Sequence, residues 1–197
     1  MDNRDREILR SLAGRYTDLA SLSVMQERKR QWTALKDLHA ERPMVLFETW
    51  FLEHYVVEEE LECRAPDLRD VERRMRWLIR HAEEVGDDLV LEPHWRVYWQ
   101  IEQPDYGVEI RSRHAEDTEG GQVAYAFDHP LRTPQDVGRL RPRTWRVDRE
   151  ETRRLAEELA KAFGDILPVV IQGKGGLHAG LTGQLFRLIG NDNLFSG

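Results

Sequence analysis

Three short apolar runs constrain this chain more than any other feature. They are MVLFE at 44–48, LVLEP at 89–93 and VVI at 169–171. Each is continuous, too short for a helix and bounded by Pro, Gly or a carboxylate. Runs of that kind suit strands buried on both faces, as in a parallel sheet. Between them lie segments of helical period. Residues 67–86 carry Leu68, Val71, Met75, Leu78, Ile79, Ala82 and Val85 on one stripe, with Asp67 as the expected N-cap and Gly86 as the stop. Residues 148–164 place Leu155, Leu159 and Phe163 on another stripe, and Leu181, Leu185, Leu188 and Ile189 form a third, stopped at Gly190. Strands alternating with helices predict parallel β/α units.

The rest of the chain is read around that frame. Residues 2–40 are expected to be helical, with a break near Ser21–Ser23, and the acidic EEELE at 58–62 reads as a solvated segment. Residues 107–127 alternate apolar and charged side chains about a polar tip, which predicts an antiparallel hairpin inserted into the α/β pattern. Thr133-Pro134-Gln135-Asp136 carries a cap, a proline and an acid in the order that starts a short helix.

Composition narrows the function classes. The net charge is −7 and arginines are interspersed with acids, so no nucleic-acid partner is expected. No run is long and apolar enough for a membrane span or a signal peptide, and the cytoplasm is the expected location. The single cysteine, Cys63, excludes an internal disulfide and a Cys-rich zinc site; no metal site is expected in this chain.

Candidate site residues follow from the ends of the runs. Ligand crevices in parallel α/β folds lie at the carboxyl ends of the strands. Glu48 and Glu92 are the acids expected there, with His94 beside Glu92, and these three are the candidate catalytic residues for hydrogen bonding and proton transfer. Trp50, Trp95, Gln172, Lys174 and His178 are the candidate substrate-binding residues. Each has a structural alternative: a solvated acid, an arginine pair, or a packed aromatic. The GKGG at 173–176 matches neither phosphate-loop template. Gly175 stands where a Walker A loop needs a hydroxyl, and His178 where a dinucleotide fingerprint needs its third glycine. It reads as a strand-to-helix turn or a backbone-lined substrate loop.

Several blocks resemble the uroporphyrinogen decarboxylase superfamily, in its divergent branch related to corrinoid-dependent methyltransferases. They are ERPMVLFETW at 41–50, GDDLVLEPHW at 86–95, DYGVEI at 105–110, FDHPLRTPQDVGRLRPRTWRVDREET at 127–152 and AFGDILPVVIQG at 162–173. The resemblance implies an α/β fold: a partial (β/α)8 TIM barrel with an N-terminal helical segment over 1–41 and the first half of the barrel over 42–197. A whole barrel of this kind takes about 250 residues. The implied activity is that of an enzyme on a small-molecule substrate, in methyl transfer linked to a corrinoid or thiol, with tetrapyrrole decarboxylation as the alternative. Zinc or a corrinoid is implied for the full-length family, with no cofactor expected in this chain. An open half-barrel also leaves strand edges that call for a second copy or a partner chain, which is the non-catalytic alternative.

Overall fold

The computed structural model describes residues 1–48, 51–102, 106–116, 122–173 and 180–195. The protein is a mixture of helix and sheet in two compact units, one formed by Met1–Tyr98 with Arg149–Gly173, the other by the described residues of Trp99–Asp148 and 180–195.

The first unit is built on three amphipathic helices. Helix α1 (Asn3–Ala20) starts at Asp2, whose carboxylate accepts from the Asp5 N–H at 2.7 Å, and buries Leu9, Ala13, Tyr16 and Ala20. Helix α2 (Ser23–Lys36) follows the expected break at Ser21 and Leu22 and buries Met25. Helix α3 (Pro66–Arg80) buries Leu68, Val71, Met75 and Ile79. Its N-cap is Ala65 and Pro66 holds the first position, so Asp67 falls in the first turn, where an acid suits the helix dipole. The helix widens into a π-helical turn, His81–Val85, and ends on Gly86 in the left-handed conformation at φ 69°.

A single parallel pair completes this unit. Strand β1 (Trp95–Tyr98) pairs in register with a strand at Val169–Gln172, Trp95 opposite Val169 and Tyr98 opposite Gln172. Between them in sequence comes a helix at Arg149–Phe163 that packs on both strands. It buries Ala156, Leu159, Ala162 and Phe163 in the same core as α1 and α3. Arg10 of α1 grips the turn after this helix, donating to the Ala162 carbonyl and, as a fork, to Asp165 at 2.6 and 2.7 Å.

The second unit contains two antiparallel pairs. Strand β2 (Gln100–Glu102) pairs with β5 (Arg146–Asp148), and β3 (Arg111–Glu116) pairs with β4 (Gln122–Asp128) as the hairpin that the alternation predicts. The strand at Val169–Gln172 is therefore β6, and the helix at Arg149–Phe163 is α4. The proline-led turn Pro134–Arg139 is a 3-10 helix, with the Asp136 carboxylate accepting from the Arg132 and Thr133 amides and the Thr133 hydroxyl. Helix α5 (Leu181–Phe195) is interrupted at Gly190, and Val108, Leu131 and Leu188 form a small core.

Two expected strands do not form. Residues 44–48 have no strand partner, and Val45, Leu46 and Phe47 are exposed. Residues 89–92 are likewise outside any ladder, although Leu91 is buried. Of the three apolar runs only 169–171 lies in a strand, and the described residues form three separate two-stranded sheets that do not make a barrel.

Candidate functional site

The shift of β1 from residues 89–93 to Trp95–Tyr98 rearranges the expected site. Glu92 and His94 now precede β1, at the amino end of the parallel pair, whereas Gln172 closes β6 at the carboxyl end. Four residues at about 3.3 Å each separate the two ends by about 10 Å. Glu48 is exposed on the irregular segment after α2 and closes no strand. Trp50, Lys174 and His178 lie outside the described residues. The structure therefore joins Glu92 to His94 and separates both from Gln172.

At the amino end, Glu92 accepts from Lys29 Nζ at 3.0 Å and lies 3.8 Å from the Arg96 guanidinium. Arg96 Nε lies 3.3 Å from His94 Nε2. An arginine N–H can only donate, so Nε2 of His94 is the acceptor and the neutral ring carries its proton on Nδ1. The pair is a neutralised acid and an oriented imidazole.

Arg74, a residue of α3, lies alongside β1 between its two ends. Its guanidinium sits 4.9 Å from the ring centroids of both Trp95 and Tyr98, and donates to the Arg96 carbonyl at 3.2 Å and the Tyr98 hydroxyl at 3.4 Å. Trp95 is almost fully buried, edge-on to Tyr16 at 6.0 Å, so it serves as the floor under Arg74. Burial pushes the Tyr16 phenol up to about 12, so it stays protonated in the core.

Arg74 differs from the other arginines of its helix. Arg69 and Arg73 both pair with Glu58, Arg76 with Glu62 and Glu72, and Arg80 with Glu60. The acidic run at 58–62 is thus a ladder of partners for α3. Among the described residues no carboxylate lies within ion-pair distance of Arg74. A cation held over two aromatic faces and without an acid is a preorganised anion receptor. Spacing alone could not single it out, because five arginines share α3 and only the fold decides which of them reach the ladder.

A second arrangement was also silent in the sequence. His81 Nε2 lies 2.7 Å from Asp87 Oδ2. Burial raises the Asp87 carboxyl, but the Phe47 N–H, the His81 ring and the Leu89 N–H outweigh it and hold it below its ordinary value. Cys63 is buried and its thiol is pushed up, first by burial and then by Glu72, so it is neither a nucleophile nor a thiolate ligand. Among the described residues no three His, Cys, Asp or Glu side chains are grouped to hold a metal ion. No described helix is long and apolar enough to cross a membrane.

Comparison with protein-family models, with curated proteins and with solved structures gives no match for this chain.

Proposed function

We propose that the chain is the first half of a uroporphyrinogen decarboxylase-like barrel enzyme and that it binds a small molecule through a carboxylate seated on Arg74. The observation that carries this reading is the guanidinium of Arg74, which has no carboxylate partner among the described residues and lies alongside β1, within reach of Tyr98, the residue that closes that strand. Ligands of parallel β/α folds bind at the carboxyl ends of the strands, where Tyr98 and Gln172 stand. Support for the β/α reading comes from β1, α4 and β6, a parallel strand pair with a helix packed on both strands. Tyr98 and Gln172 would supply neutral hydrogen bonds beside the guanidinium. The reaction class carried over from the resemblance is methyl transfer linked to a corrinoid or thiol, and tetrapyrrole decarboxylation is its alternative; both accommodate a carboxylate-bearing substrate.

Calorimetric titration tests the reading. The probes are mercaptoacetate, a carboxylated porphyrin and methylcobalamin, added to the chain and to Arg74→Gln. Saturable binding of the thiol acid or the porphyrin, lost in Arg74→Gln while the circular dichroism spectrum is retained, is the expected outcome, and the probe that binds selects the reaction class. Absence of binding by both carboxylates, or equal binding by Arg74→Gln, overturns it.

The exposed apolar side chains of Val45, Leu46, Phe47 and Phe51 favour a second reading, a half-barrel that pairs with another copy of itself. Light scattering on the eluting protein decides that point: a monomer at all concentrations removes it.

A further inference from the structure

In the second unit, residues 139–146, RLRPRTWR, depart from the interspersed charge of the rest of the chain. Between Asp136 and Asp148 stand four arginines and no acid. Only Arg139 has a carboxylate partner among the described residues, Asp136 at 3.2 Å. Arg141 is exposed and donates to carbonyls alone, those of Gly138 at 3.3 Å and Leu140 at 3.2 Å. Arg146 is exposed as well. It stands opposite Glu102 in the β2–β5 ladder, but no ion pair joins the two. The net charge of −7 therefore does not describe this segment, where the local field is positive.

The segment is anchored although it is irregular. The Arg141 N–H donates to the Tyr106 carbonyl at 2.7 Å. The half-buried Arg143 stacks its guanidinium on the Tyr106 ring, 3.8 Å from the centroid, and has no carboxylate partner among the described residues. Gly107 lets Arg141 lie close, since a Cβ there would come within 2.8 Å of Arg141 Cγ. Pro142 lacks an N–H and keeps Arg141 extended. Beyond this anchor Trp145 is 61% exposed, the one exposed tryptophan among the described residues, and no aromatic ring packs on it there. A single exposed indole means little by itself. Set among uncompensated arginines, it offers a planar face inside a positive field.

We infer that residues 139–146 form a binding surface for single-stranded nucleic acid, with phosphates on Arg141 and Arg146 and a base stacked on Trp145. Arg143, held on Tyr106, adds its charge and fixes the course of the segment. The charges are strung along the chain and not gathered in a cavity, which suits a row of phosphates better than one. The indole needs a free base face, which a duplex keeps inside its stack. An acidic peptide would answer the arginines but brings no row of planar rings to the tryptophan.

Fluorescence anisotropy of a short labelled oligothymidylate, titrated with the full chain over a series of salt concentrations, separates the two contributions. Saturable binding that weakens with salt is expected. Arg141→Gln and Arg146→Gln should each lower the slope of log affinity against log salt by about 0.7, the share of one phosphate on a single strand. Trp145→Ala should lower affinity about tenfold and leave the slope unchanged, as the loss of one stacked base. The same sequence as a duplex should bind more weakly. In the unmodified chain the oligonucleotide should quench indole fluorescence, and Trp145→Phe should remove that quenching. The surface is overturned if the oligonucleotide does not bind at low salt, if Trp145→Ala binds it undiminished, or if the duplex binds more tightly. It is overturned in favour of an acidic protein partner if polyglutamate of equal charge displaces the oligonucleotide as well as unlabelled oligonucleotide does, and in favour of a free nucleotide if thymidine monophosphate does so. Trp145, Arg141 and Arg146 are exposed, so circular dichroism of the variants should match the parent.

Discussion

Val45 and Asp88 exchange two hydrogen bonds across the first unit. The Asp88 N–H donates to the Val45 carbonyl at 2.9 Å, and the Val45 N–H donates to Asp88 Oδ2 at 2.8 Å. Arg42 adds a fork to the same carboxylate, with its Nη1 2.9 Å from Oδ2. The contact has the reciprocity of a strand pair, but one of its acceptors is a side chain, and the ladder goes no further.

That carboxylate should make the 42–48 segment sensitive to acid. The Arg42 guanidinium, then the Val45 N–H, hold Asp88 down from its ordinary 3.8 to about 2. A depressed folded value means that the carboxylate's contribution to stability is complete above about pH 4 and is lost as pH falls through about 2. The Val45 amide resonance is expected to titrate with a midpoint near 2. Arg42→Ala should raise that midpoint, and Asp88→Asn should abolish the titration.

Glu72 should be a costly residue to remove. Its side chain is fully buried and accepts from the amides of Glu62 and Cys63 and from Arg76. Glu72→Ala leaves buried donors without an acceptor and is expected to lower unfolding stability by about 3–5 kcal/mol. Glu72→Gln keeps one acceptor oxygen and should lose less. Urea unfolding of the two variants measures the difference.

Trp95 and Arg74 should separate stability from binding. Trp95→Ala opens the core under Tyr16 and is expected to cost about 3–5 kcal/mol in urea unfolding. Arg74→Lys keeps the charge and loses the planar fork that stacks on both rings. It is expected to leave the unfolding midpoint within about 1 kcal/mol of the parent and to weaken carboxylate binding more than tenfold, by the standard of a charged hydrogen bond.

Gly190 should tolerate no side chain. Its backbone sits at φ 79° and ψ 165°, and a Cβ there would lie 2.7 Å from the His129 ring, which is itself held by the Arg187 carbonyl. Gly190→Ala is expected to cost about 1–3 kcal/mol from backbone strain alone. Hydrogen exchange in residues 180–195 should accelerate, while exchange in α1 and α3 stays unchanged.

The helices were legible because their causes are local. Leu9 and Tyr16 on α1, and Leu68, Val71, Met75 and Ile79 on α3, recur at the helical period and are buried in the core. Gly86 and the Thr133–Asp136 box ended or began helical segments by chemistry contained within a few residues. The antiparallel hairpin was legible for the same reason: its two strands are neighbours in sequence and alternate visibly.

The strands at 44–48 and 89–93 were not decided locally. A buried apolar run becomes a strand only if another strand offers it a ladder, and two aspartates next to the second run take the amides first. Asp87 accepts from Phe47 and Leu89, and Asp88 accepts from Val45. Short acidic side chains compete in this way with backbone pairing. The candidate site moved with the strand. Glu92 and His94 end at the amino side of β1, and the residues that gather polar chemistry, Arg74 and the His81–Asp87 pair, come from the solvent-like face and the end of a helix. By itself the sequence determined which segments are helical, the apolar stripe of α3 from Leu68 to Ile79 and where the hairpin lies, because helix period, caps and turns act over a few residues. Tertiary structure alone decided which apolar run found a parallel partner and which arginine of α3 has no acid among the described residues, because each depends on groups far away in the chain.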